Sequence, residues 1–170
     1  IHGCLICNEL EIPLQIVPRE SSVLCAFGML MCDLRHDYVR TFVARLEALD
    51  WSRLNAVVGA MADDGSRLLS EERIPRPEQR FELRLDCRYI KQYHEVSVPV
   101  PLDVVERRDA NAIARAFHDE HQRLYGYTLE VERSPIEIIN VRLQAVGATG
   151  RPAYRSERSG KADASYALKS

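Results

Sequence analysis

Polar and apolar residues alternate most sharply in "FELRLDCRY", where Leu83, Leu85, Cys87 and Tyr89 fall on one side and Arg84, Asp86 and Arg88 on the other. A period of two sends successive side chains to opposite faces of a pleated chain, so this run predicts a strand with one covered face. After a bend over Ile90 to Tyr93, the valines at 96, 98 and 100 resume the same period. "IEIINVRLQAVG" predicts another strand, with Ile139, Val141, Leu143 and Ala145 on one side. "HDYVRTFVARL" is rich in β-branched and aromatic residues and predicts an extended segment.

Helical spacing fills the intervals between these runs. "DWSRLNAVVGAMADDGSRLLSEE" predicts a helix capped by Asp50 or Ser52, interrupted near Gly65 and ended by Pro75 and Pro77. Asp109 is placed to cap "ANAIARAFHDEHQRLYGY", with Ile113, Phe117, His121 and Leu124 along one face and Gly126 as the stop. Upstream, "IHGCLICNELEIPLQIVP" predicts a short helix, a turn at Pro13 and a brief strand over Leu14 to Val17. Ser21 and Ser22 are expected to cap a helix over Val23 to Cys32, whose small and apolar content predicts packing on most sides.

These elements predict an α+β protein in two parts. Residues 1–34 read as the end of an α/β unit, and 35–148 as an α+β unit with helices packed on a mostly antiparallel sheet. Residues 149–170 are polar and nearly devoid of large aliphatics, the composition of a flexible tail or linker. The chain opens at Ile1 in mid-pattern, which suggests a piece of something longer.

Composition narrows the class. With 170 residues, 46% of them hydrophobic and 28% charged, the chain can bury a core and is not a disordered one. A net charge of −2 gives no basic field for nucleic acid, and no apolar run is long enough to span a membrane. Five scattered cysteines, an odd number, favour free thiols in a reducing cytoplasm.

Several clusters carry possible chemistry. Asp33, Arg35, His36 and Asp37 end an apolar run in a knot of charge; carboxylates and imidazole suit a divalent metal or phosphate. The reading favoured here is structural, a network that caps the preceding helix and pairs within itself at a domain seam. Asp86, Arg88, Gln92, His94 and Glu95 lie on or beside strands, and they suit either a substrate surface, with Arg88 as a bidentate carboxylate fork, or a solvated sheet face. His118 and His121 are spaced for a metal pair, but the apolar residues around His121 favour a core histidine bonded to a backbone carbonyl. Cys4 and Cys7 form a lone C-x-x-C, read as two small buried residues on a helix. Tyr125, Gly126 and Tyr127 read as a helix stop with aromatic packing and not as a site.

Four segments in register carry a resemblance. "DLRHDYVRT" after an apolar helix, "DCRYIKQYHE", "FHDEHQRLYGY" and "IEIINVRLQAVG" together resemble the C-terminal third of the hydantoinase A/oxoprolinase family, across residues 1 to about 150. The opening "IHGC" resembles the stretch just after that family's glycine-rich phosphate-side loop, which would put His2 near nucleotide or metal along with Asp33, His36 and Asp37. Lys91 stands where the family pattern usually has glycine.

The resemblance implies that residues 1–34 close an actin-like ATPase domain and that the next unit is the family's C-terminal α+β domain. It implies an ATP-dependent hydrolase opening a cyclic amide such as a hydantoin or 5-oxoproline, with ATP and a divalent metal, Mg or Mn, serving the full-length enzyme and neither bound to this piece. A companion hydantoinase B-type subunit and a homo- or hetero-oligomer are implied as partners. On this reading the piece supplies substrate-side and subunit-docking surface and is inactive alone. The alternatives are the same segment of an acetone or acetophenone carboxylase subunit, or a non-catalytic assembly domain.

Overall fold

The computed structural model describes residues 2–18, 20–130 and 133–150, and the tail expected beyond Gly150 lies outside them. The chain divides into two compact units, with the second formed by Asp33–Thr149. Each is described by itself.

In the first unit, α1 spans His2–Glu9 and α2 spans Leu24–Leu30, with a 3₁₀ turn at Ser21–Val23 before it. The strand expected over Leu14 to Val17 is absent; these residues are extended but irregular, since a strand needs a neighbour to receive its N–H and C=O groups and none is paired to them. Neither Ser21 nor Ser22 makes a side-chain cap. The expected packing of the second helix is also corrected. No residue of α2 is buried, and Leu24, Met29 and Leu30 are exposed.

The second unit contains β1 (Leu34–Arg45), α3 (Trp51–Glu71), β2 (Gln79–Tyr89), β3 (Val96–Pro99), α4 (Leu102–Glu106), α5 (Ala110–Tyr125) and β4 (Ile136–Gly147). Its strands form one sheet in the order β1-β4-β2-β3, every neighbouring pair antiparallel. The last strand in sequence is thus inserted between the first two. The α+β expectation holds for this unit.

Both long helices begin at an aspartate. Asp50 Oδ1 accepts from the Arg53 N–H and Asp109 Oδ1 from the Ala112 N–H, each satisfying a donor that the first helical turn leaves open. Gly126 ends α5 at φ 78°, a left-handed conformation that glycine adopts without strain.

The helices cover one face of the sheet. Leu83, Leu85, Cys87 and Tyr89 of β2, Val96 and Val98 of β3, and Val141 and Leu143 of β4 are buried there with Leu54, Val58 and Met61 of α3 and Ile113 and Phe117 of α5. Full burial of such side chains stabilises by about 1.5–3 kcal/mol each, which makes this layer the main support of the sheet. Leu124, expected on the inner face of α5, is 50% exposed. It lies near the end of the helix, beyond the part of α5 that packs on the core.

Two further expectations are corrected. α3 runs through Gly65 without a break, because Gly65 is there for close approach: a Cβ at that position would lie 2.7 Å from the Ala145 Cβ. In β4 the inward residue is Ile138 rather than Ile139. Asp86 and Cys87 are adjacent, yet they pair with Asn140 and Ile138, so Ile139 is the extra residue of a β-bulge. The bulge shifts the alternation by one position, which a strict period of two cannot register.

Candidate functional site

Within the second unit, and among the described residues, no helix lies over the other face of the sheet, which carries the polar half of each strand. Register sets its rows: Asp37 of β1, Gln144 of β4 and Glu82 of β2 align, then Val39, Arg142 and Arg84, then Thr41, Asn140 and Asp86. A cavity of about 550 Å³ opens on this face, lined in part by Arg35, Asp37, Glu82, Arg84, Arg142 and Gln144.

Arg84 and Arg142 sit directly opposite each other, a like-charge pairing that destabilises a sheet unless each charge is drawn elsewhere. Arg142 Nε donates to Asp86 Oδ2 at 2.6 Å, and Arg84 Nη2 donates to the Ser97 carbonyl at 2.6 Å. Arg35 Nη1 donates to Gln144 Oε1 at 2.7 Å, and Gln144 Nε2 in turn donates to Asp37 Oδ1 at 2.8 Å. The result is a shallow bowl with three guanidinium groups and two carboxylates at its walls. Planar guanidinium forks held in place by a strand are suited to a carboxylate or phosphate group on a ligand or partner.

Asp86 is the buried anchor of this face, at 3% exposure. Besides Arg142, it accepts from Asn140 Nδ2 at 3.1 Å, and the same amide lies 3.4 Å from Glu95 Oε2. Asp86, Asn140, Arg142 and Glu95 therefore form one connected group. Arg88 does form a fork, but its occupant is internal: Nε and Nη2 both donate to Glu137 Oε2, at 3.0 and 2.8 Å.

The charge knot at the start of β1 is split by the pleat. It does not cap α2, whose C-cap is Met31. Arg35 and Asp37 share one face and are bridged by Gln144 rather than paired directly, while His36 between them points to the other face. Asp33 accepts from Arg80 Nη2 and from the Thr149 N–H, both at 3.3 Å, while Arg35 and Asp37 face the bowl. His36 turns to the helix-bearing face, where Nε2 lies 2.7 Å from Glu72 Oε2 beyond the end of α3. His2 lies in the first unit, on α1. Among the described residues, no group of three His, Cys, Asp or Glu side chains is arranged to hold a metal. Cys4 and Cys7 are free thiols on α1, exposed and half-buried rather than buried as expected, since α1 buries none of its residues. The Cys87 thiol is pushed up by burial, which keeps it protonated and inert.

Gln92 and His94 leave the sheet face altogether. They line a second cavity of about 310 Å³ with Lys91, Tyr93, His121, Tyr125 and Tyr127. His121 is buried, and its Nδ1–H donates to the Tyr127 carbonyl at 2.8 Å, the core role expected for it. His118, one turn earlier on α5, packs against the same Tyr89 ring but bonds differently, with Nδ1 2.7 Å from the Tyr89 hydroxyl. Desolvation by burial lowers its pKa.

Arg142, Gln144, Asn140 and Glu137 escaped the sequence reading. The signal was present: Asn140, Arg142 and Gln144 alternate with Val141, Leu143 and Ala145 as Arg84 and Asp86 do with Leu85 and Cys87. What the sequence lacked was the pairing of β4 with β2, which makes the two polar sets neighbours.

No family model matches the sequence. The caprolactamase subunit alpha of Pseudomonas jessenii is 29% identical over 156 residues, which are 89% of this chain and 22% of that protein. The crystal structure of the ATP-dependent caprolactamase from the same organism superposes with a TM-score of 0.72 at 26% identity, over 95% of this chain and 24% of the other. A nucleotide-free structure of acetone carboxylase superposes with a TM-score of 0.63 at 16% identity, over 85% of this chain and 22% of the other, a likeness of fold. The chain thus spans about a fifth of the length of the caprolactamase subunit. Over nearly all of its own length, it is homologous to the alpha subunit of caprolactamase.

Proposed function

We propose that the chain is a C-terminal segment of an ATP-dependent enzyme that opens cyclic amides, of the hydantoinase and 5-oxoprolinase type. The observation that carries this reading is the joint sequence and structural likeness to an ATP-dependent caprolactamase. In the whole enzyme, phosphoryl transfer from ATP to the amide oxygen, with release of ADP, would activate the amide carbonyl carbon, a poor electrophile otherwise, and this segment lends substrate-side and docking surface to that chemistry. Residues 1–34 close an actin-like ATPase domain in this account, and a hydantoinase B-type subunit is the companion. The exposed Leu5, Ile6, Leu10, Leu14 and Ile16 support the first of these, because so much uncovered apolar surface suits an element completed by more polypeptide.

Among the described residues, the candidates Asp33, His36 and Asp37 do not come together as a nucleotide-metal centre. Asp33, His36 and Asp37 are each engaged with protein partners and diverge to two faces of the sheet. No step is assigned to them. The polar bowl is the surface assigned to the reaction, with Asp86 fixing Arg142, and the Ser97 carbonyl fixing Arg84, against a ligand or partner carboxylate. A second reading, the same segment in a ketone carboxylase, is favoured by the shared fold with acetone carboxylase.

The test is alanine at Arg35 or Arg84, two of the guanidinium groups that line the bowl, in the full-length polypeptide assembled with its companion. A fall in kcat with the complex intact supports a substrate-side surface. Normal turnover in the complexes that do form, with impaired assembly, would make the face a docking surface alone.

A further inference from the structure

The cavity at the end of α5 stands apart from the sheet face, and none of its residues belongs to the bowl. Its floor is pre-organised. His121 is 1% exposed, anchored through Nδ1 to the Tyr127 carbonyl, and its Nε2 lies 3.3 Å from the Gln92 carboxamide. Gln92 Nε2 also donates to the Tyr127 hydroxyl at 3.1 Å. Tyr125 and Tyr127 pack on the His121 ring, with centroids at 4.8 and 4.9 Å, yet each keeps nearly half its surface open. Tyr93 is 92% exposed at the rim. Flat aromatic faces held open by a fixed polar floor provide binding area with little entropy left to lose.

Charge decides what such a cavity takes. Tyrosines alone would suit a cation over their rings. Among the described residues no carboxylate lines the cavity, and Lys91 brings a positive charge to it, with His94 beside. Glu95, the nearest acid in sequence, is engaged with Asn140 on the sheet instead. Lys91 holds φ 76°, a conformation that glycine would adopt without strain, so the charge is presented from a costly backbone position. The volume, about 310 Å³, is at the small end of ligand pockets and matches a single ring.

We propose that this cavity is a binding site for a small planar molecule carrying a carboxylate, its ring against Tyr125 and Tyr127 and its anionic group at Lys91.

The probes are benzoate, its neutral isostere benzamide and the cation benzyltrimethylammonium, titrated into this chain and read by chemical-shift changes of the cavity residues. Benzoate is expected to bind more tightly than benzamide by roughly fivefold, the scale of an exposed ion pair, with the preference shrinking as salt is added. Lys91→Gly is expected to bring the benzoate-to-benzamide ratio to about one; glycine suits the backbone there, so this variant keeps the fold. Tyr125→Ala, at an exposed site, is expected to weaken both ligands together. Equal affinity for benzoate and benzamide in the unmodified chain, tighter binding of the cation, or no saturable shift with any probe would overturn the proposal.

Discussion

The Tyr89 hydroxyl and His118 Nδ1 lie 2.7 Å apart, and this contact ties β2 to α5 beneath the loop that leads into β4. The same hydroxyl accepts from the Leu129 N–H at 2.9 Å and lies 2.8 Å from Thr128 Oγ1. One fully buried oxygen thus serves a strand, a helix and a loop. Tyr89→Phe keeps the ring that packs edge-on against Phe117, with centroids 4.8 Å apart, but leaves the Leu129 N–H without its acceptor. The expected cost is about 1–3 kcal/mol, measured by urea unfolding.

His118 makes that stability depend on pH. Burial lowers its pKa in the folded chain below the ordinary value near 6.5, so just below that value the unfolded state binds more protons. Stability contributed by neutral His118 is fully present above about pH 6.5, is lost as pH falls below it, and levels off beneath the folded pKa. Unfolding midpoints between pH 8 and pH 5 should show this decline, and His118→Gln should flatten it. An unchanged slope in that variant would assign the decline to other groups.

Two glycines of α3 should respond in opposite directions to alanine. Gly59 is exposed with nothing within 4 Å of a new Cβ, so Gly59→Ala should stabilise by about 0.5–1 kcal/mol through helix propensity alone. At Gly65 the new methyl would meet the Ala145 Cβ at 2.7 Å and the Phe81 and Tyr38 rings at 3.3 Å. Gly65→Ala should destabilise by about 1–3 kcal/mol, the scale of overpacking. Thermal unfolding of the pair side by side checks both.

On the open face, Asp86→Ala should be the most damaging change. It removes a buried carboxylate and leaves Arg142 facing Arg84 with nothing to draw it aside. Arg142 is about half exposed and can turn to water, which holds the expected loss to about 1–3 kcal/mol. Asp86→Asn, which keeps an acceptor but not the charge, should fall between it and the parent chain.

The legible parts of this molecule were those governed by local rules. Period two in "FELRLDCRY" marked β2 and its covered face, and Asp109 with Gly126 bounded α5. The misses came from non-local contacts. Gly65 looks like a helix breaker until β4 is known to press against it, and Ile139 looks inward until the bulge is seen. Leu14 to Val17 has a strand's residues with no paired neighbour. Gln92 and His94 group with Asp86 and Arg88 when read along the chain, yet the turn at Lys91, within the bend expected over Ile90 to Tyr93, swings them away to the tyrosines. Asp33 to Asp37 read as one cluster because sequence proximity hides the pleat, which sends His36 to one face and its neighbours to the other.

The central claim is tested most directly by ATP hydrolysis, measured with and without a cyclic amide such as hydantoin, 5-oxoproline or caprolactam. This chain alone is compared with the full-length polypeptide assembled with its companion subunit. The account expects turnover only in the complete assembly, stimulated by one of these amides. Amide-stimulated ATP hydrolysis by the isolated chain, or an assembly that hydrolyses ATP with no response to any cyclic amide, would contradict it.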